Sequence, residues 1–188
     1  YRVDKKFDHF SIALSVGVQR MVRSDLGSSG VMFTIDTETG FKNIVLINSI
    51  FGLGENIVQG RVTPDEFCVF KPTKKIISKK LSKKDIKMVY DLKGKNPVKN
   101  VKILPADQLK PSLNTEQVIQ LAKWAMIIED HYKRPMDIEF ALDGRTKELF
   151  IIQARPETVQ SLKNLQVIEN YKLEKREKVI VTGQSVGN

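Results

Sequence analysis

Four polar side chains within MDIEFALDGRTKELFIIQARP, residues 136–156, carry the strongest chemical signal in the chain. Asp137 and Glu139 stand two residues apart, as do Gln153 and Arg155. Side chains two apart on a β-strand share a face. Apolar-alternating runs flank Asp143-Gly144, which reads as a β-hairpin with that dipeptide at its turn. Asp137 and Glu139 then project together, while Met136, Ile138, Phe140 and Leu142 pack the other way. Such oxygen ligands beside a guanidinium suit a magnesium-bound polyphosphate. Mg²⁺ takes one or two carboxylates plus phosphate oxygens and keeps several waters. Arginine adds a planar fork for phosphate. The same polarity arises on any hairpin with one wet face, so the rest of the chain has to discriminate.

Three further stretches bear on that choice. GLGENIVQG, residues 52–60, places two glycines before a short helix start. Glycine allows close backbone approach to a ligand, and Glu55 could accept from ribose hydroxyls or simply favour the helix dipole. It lacks the Gly-Lys-Ser/Thr of a P-loop and the dinucleotide fingerprint. SSG at 28–30 could cradle phosphate or be an ordinary hairpin loop. VQRMV at 18–22 could offer backbone groups to an adenine edge with Met21 as a soft wall, or be a core strand. His9 and His131 share no metal-ligand spacing and read as structural or surface residues. No Ser/His/Asp nucleophile signature occurs.

Positioning these groups needs strands and at least one helix. Strands are expected at Ser15–Val22, at 31–36 and at 43–49, with Ser24–Gly30 a small-residue loop. Shorter strands follow at Asp65–Phe70, Lys75–Ser78, Met88–Tyr90 and Val101–Leu104. Asn114, three before Gln117, signals a helix start. Val118, Leu121, Ala122, Ala125 and Ile128 follow at helical spacing, predicting a helix over about 115–131 that Pro135 stops. Beyond Pro156 the chain turns Lys/Glu-rich, as a linker or exposed helix would, and a new strand starts at 179.

The chain has 188 residues, 41% of them hydrophobic, enough for one domain with a real core. No apolar run reaches membrane-spanning length, and no secretory segment opens the chain. A single cysteine, Cys68, excludes an internal disulfide and a cysteine-based zinc cage. A cytoplasmic protein is expected. Residues 71–102 hold 12 lysines against two aspartates, and so carry essentially all of the net charge of +9. That segment has no arginine and one aromatic, Tyr90. Nucleic-acid binders usually add arginine forks or stacking platforms. A solvated lysine face is therefore expected, with long-range attraction of an anionic nucleotide as a second use. A basic nucleic-acid-binding module stays as a third reading, and salt-sensitive binding would be its mark.

In order, QRMV (19–22), SSGVMFTIDTETG (28–40), GLGENIVQGRVTPDEF (52–67), RPMDIEFALDG (134–144) and LFIIQARPETV (149–159) resemble the phosphoenolpyruvate synthases. Those are the pyruvate, water dikinases of the pyruvate-phosphate dikinase group. The resemblance spans about residues 1–160. It implies an α+β fold, the C-terminal subdomain of an ATP-grasp, mainly antiparallel sheet with a few helices. Residues 161–188 would be a linker and the start of a swivelling phosphohistidine domain. It implies ATP and Mg²⁺ as ligands, with Glu139 and Gln153 holding the metal, Asp137 nearby and Arg155 on the transferred phosphates. Gln19, Arg20, Met21 and Val22 would form a strand against adenine. Ser29 would lie in a phosphate-covering loop, and Glu55 at the ribose. The implied reaction turns ATP, pyruvate and water into phosphoenolpyruvate, AMP and phosphate through a phosphohistidine. The other implied partners are a first ATP-grasp subdomain, the phosphohistidine domain and a pyruvate-binding barrel, with no membrane or nucleic acid. Neither His9 nor His131 has the phosphohistidine context, so this chain alone is expected to hold half of an ATP cradle and to turn over little. A related dikinase passing the phosphoryl group to inorganic phosphate, a glucan or an antibiotic remains the alternative.

Overall fold

The structure is a computed structural model that describes residues 3–8, 13, 15–159 and 161. Its frame is a six-stranded sheet in which every neighbouring pair is antiparallel. In chain order the strands are β1 (Ser28–Phe33), β2 (Ile44–Phe51), β3 (Asp65–Phe70), β4 (Lys75–Lys80), β7 (Met136–Leu142) and β8 (Leu149–Pro156). In space they run β4-β3-β2-β1-β7-β8. A separate two-stranded ribbon pairs β5 (Ile86–Tyr90) with β6 (Val98–Lys102). The fold is α+β, as expected, and consistent with an ATP-grasp-like domain.

Composition explains the strand order. β1 and β2 lie at the centre, covered on both faces, and nearly every residue in them is buried. β4, at an edge, alternates half-buried and exposed. One face of the sheet carries Met32, Val45, Ile47, Phe67, Val69, Ile138 and Phe140, all buried. Across it lies helix α2 (Thr115–Tyr132), which buries Val118, Leu121, Ala122 and Ala125 along one stripe. Gly30 belongs to this inner face, where a Cβ would come within 2.7 Å of the Phe140 ring and within 2.0 Å of the Asn48 carbonyl oxygen. The missing side chain lets that ring lie against β1.

Helix α2 starts at a reciprocal capping box. Asn114 Oδ1 accepts from the Gln117 backbone N–H at 2.8 Å, and Gln117 Oε1 accepts from the Asn114 N–H at 2.9 Å. The helix ends at Lys133, in the left-handed region with φ 55°, two residues before Pro135.

Two expectations fail. Residues 15–22 form no strand. Val16 and Val18 are exposed there, Val18 at 98%, and only Val22 is buried. A strand needs a free ladder, and β1 already has β2 and β7 on its two sides. Residues 28–30 are not loop but the start of β1. Their small side chains reflect close packing rather than flexibility. The Asp143-Gly144 dipeptide does lie at the turn between β7 and β8, as expected. The Asp143 N–H donates to the Glu148 carbonyl at 2.9 Å and closes the loop there. His9 and residues 162–188 lie outside the described residues.

Candidate functional site

The sheet face opposite α2 carries the polar groups singled out by sequence, and strand register explains why. Val31 pairs with Glu139, and Phe33 with Asp137. Across the hairpin, Asp137 pairs with Arg155 and Glu139 with Gln153. Directly opposed residues share a face, so all four polar side chains stand on one side. Arg155 Nε and Nη2 each lie 2.8 Å from Asp137 Oδ2. Among the described residues the Glu139 carboxylate and the Gln153 amide make no hydrogen bond or ion pair. A β-bulge between Glu139 and Phe140 leaves Ile152 without an opposite residue and brings it to this same face.

A cleft of about 470 Å³ opens over that face, within the range of small-ligand sites. Its floor is Ser29, Val31, Glu139, Ala141 and Ile152. One wall is the chain from Gln19 to Val22 and the other is helix α1 (Glu55–Val58), with Tyr90 of β5 between them. The structure therefore brings Gln19, Arg20, Met21, Val22, Ser29, Glu55 and Glu139 to one cavity. Asp137, Gln153 and Arg155 do not line it. They continue the same sheet face beyond its rim. The Asp137–Arg155 pair sits two residues of strand rise, about 7 Å, further along than Glu139–Gln153.

Local bonds hold the walls. Ser29 Oγ donates to the Gly52 carbonyl at 2.6 Å, which ties β1 to the glycine loop before α1. Gly52 itself has φ +84° and bridges to Met88 of β5, where a Cβ would meet the Met88 oxygen at 2.5 Å. Glu55 Oε1 accepts from Gln59 Nε2 at 2.6 Å. The Tyr90 hydroxyl donates to Met21 Sδ at 3.1 Å, and the Arg23 guanidinium stands 5.8 Å over the Tyr90 ring. Tyr90 is a cleft residue that sequence reasoning assigned to a lysine-rich surface. Its being the one aromatic among those lysines was the available signal.

The approach to the cleft is clamped to the hairpin loop. The Arg23 N–H donates to Asp143 Oδ2 at 3.1 Å, and the Gly144 N–H to the Arg23 carbonyl at 3.0 Å. Arg23 Nε and Nη2 each bond Asp25 at 2.8 Å. That hydrogen-bonded guanidinium lowers the Asp25 carboxyl below its ordinary 3.8. Backbone N–H groups of Arg145 and Arg23 lower Asp143 likewise.

The donor set fits Mg²⁺. Among the described residues no group of three or more His, Cys, Asp and Glu could enclose a metal, so a closed protein cage is not on offer. Glu139 and Gln153 instead give one uncommitted carboxylate and one uncommitted amide oxygen side by side. That is the partial shell expected of an ion completed by phosphate and water. No described helix is long and apolar enough to cross a membrane.

Comparison with known proteins gives the family of the chain. The pyruvate phosphate dikinase, AMP/ATP-binding domain family matches residues 1–175. The whole chain is 58% identical to a phosphoenolpyruvate synthase of Synechocystis, 52% to one of Aquifex aeolicus and 53% to one of Escherichia coli. It covers 24% of the length of each, so it spans about a quarter of these relatives. On the extent of that match, the chain belongs to the pyruvate phosphate dikinase AMP/ATP-binding domain family.

Proposed function

We propose that this chain forms one side of a magnesium–ATP site and serves a pyruvate, water dikinase. The carrying observation is the register that sets Glu139 opposite Gln153 and Asp137 opposite Arg155 on the face that floors the cleft. Adenine lies against the backbone of Gln19–Val22, with Met21 as a soft wall and the Tyr90 ring as an aromatic one. Arg20 lies at the same wall, Glu55 reaches the ribose, and Ser29 holds the glycine loop in place. The triphosphate runs along β7 and β8 toward Arg155.

Glu139 and Gln153 would hold Mg²⁺ through oxygen, and the ion would supply charge neutralisation at the phosphate oxygens. Arg155 supplies a fork to the transferred phosphates, and Asp137 fixes the plane of that fork. Phosphoryl transfer depends mainly on positioning and charge neutralisation, which is what these four side chains supply. The relatives' name, phosphoenolpyruvate synthase, supports phosphoenolpyruvate as the product, and pyruvate, water and ATP would be the co-substrates, with AMP and phosphate formed beside it. A histidine on a separate domain would carry the phosphoryl group. The work belongs to the cytoplasm and to gluconeogenic pyruvate metabolism.

Calorimetric titration with ATP, with and without Mg²⁺, tests the site. Mg²⁺ should tighten binding, and Glu139→Gln should remove about ten- to a hundredfold of that gain. Equal affinity with and without the ion, unchanged in Glu139→Gln, would sink the metal assignment. Product analysis of the full-length protein tests the reaction. AMP and phosphoenolpyruvate are expected, and ADP as the nucleotide product would refute the dikinase reading.

A further inference from the structure

Strand β1 faces a second cavity on its other side. Ser29 and Ala141 look into the nucleotide cleft, whereas Ser28 and Leu142, paired one step along the ladder, look away from it. They help to line a separate cavity of about 510 Å³ at the end of β1, β2 and β7. Its charge is one-sided. Lys87, Lys102, Lys110 and Lys147 reach it, against a single carboxylate, Asp107.

That carboxylate is already committed to Lys110 at 2.6 Å. Lys147 Nζ donates to the Gly144 carbonyl at 2.7 Å, a bond that leaves its charge uncompensated. Among the described residues, the ammonium groups of Lys87 and Lys102 have no counter-ion and no hydrogen-bond partner. Ser28 is 1% exposed, and its hydroxyl has no partner among the described residues. An orphaned buried hydroxyl and like charges around one hollow both cost stability. An anion lodged there offsets the like charges. The remaining walls include Phe51, Ile103 and Leu142, which suit an apolar body behind the charged group.

We propose that this cavity binds a phosphate monoester with a small apolar body, its phosphate held by Lys87 and Lys102. Ammonium groups act as point-charge phosphate binders. The inference stands apart from the nucleotide reading, because it uses the opposite face of β1 and none of the cleft residues.

Phenyl phosphate is the probe, titrated calorimetrically into the whole chain with the cleft saturated by magnesium–ATP, and again without nucleotide. One equivalent should bind in both conditions, and more tightly than inorganic phosphate. Lys87→Gln/Lys102→Gln should weaken it about tenfold or more. Lys42→Gln/Lys75→Gln removes the same charge from exposed positions elsewhere and should leave it unchanged. If the double variant melts early, Lys102→Gln alone carries the test, since Lys102 is exposed. Absence of binding, equal weakening in both double variants, or full displacement by magnesium–ATP would each overturn the proposal.

Discussion

Glu139 and Asp137 are chemically alike and two residues apart, yet their surroundings divide their work. Asp137 is tied to Arg155, while Glu139 is half-buried and uncommitted. A surface pair such as Asp137–Arg155 adds under about 1 kcal/mol to stability, so its register matters more for orientation than for folding. Asp143 plays the opposite part. Its carboxylate collects three backbone N–H groups, from Arg23, Arg145 and Thr146, and is held below its ordinary 3.8. A carboxyl with a lowered folded-state value stabilises fully above the ordinary range and loses that contribution as pH falls through the lowered value. Thermal melts from pH 7 down to pH 3 should therefore show Asp143→Asn less stable than the wild type at neutral pH. The two should converge in acid. A gap independent of pH would show that the charge on Asp143 is irrelevant.

Helix α2 and the β7–β8 hairpin were legible because each carries its own local code. Asn114 and Gln117 sit three apart at the start of the helix, and an apolar stripe follows them. Loss of the cap by Asn114→Ala should cost about 1 kcal/mol in a denaturant melt, without altering ligand binding. The hairpin arms alternate, so period alone set Asp137 beside Glu139 and Gln153 beside Arg155, whereas the bulge at Ile152, which has no sequence mark, puts both pairs on one face. Residues 15–22 misled because β-branched alternation signals strand preference, but a ladder partner decides the outcome. Ser28–Gly30 misled in the other direction. Small residues suggested a loop, whereas contact with Phe140 and the Gly52 carbonyl requires them within a strand. Tyr90 escaped because a cleft wall is made by folding β5 back against the sheet, a long-range event with no local mark.

At the scale of the whole molecule, the ribbon and the sheet are joined by a buried ion pair. Asp65 on β3 and Lys84, just before β5, are both fully buried, with Lys84 Nζ 2.5 Å from Asp65 Oδ1. Asp65 also accepts from the Ser82 N–H and from the N–H and hydroxyl of Ser112. Truncating it strands a buried cation and several donors, so Asp65→Ala should cost about 3–5 kcal/mol in urea denaturation. Asp65→Ala/Lys84→Met should recover part of that loss, and no recovery would mean that the hydrogen bonds to Ser82 and Ser112 dominate. Ile152 has a different consequence. It is one residue more than its ladder needs, so the molecule can shorten there without changing the phase of the strand. Deleting Ile152 would leave Ile151 inward and Gln153 and Arg155 outward, and the protein should still melt cooperatively. Deleting Ala154 would turn Gln153 and every residue before it in β8 over, or else Arg155 and those after, and should abolish folding. The hairpin thus has a single site where a gap in length is neutral to the fold.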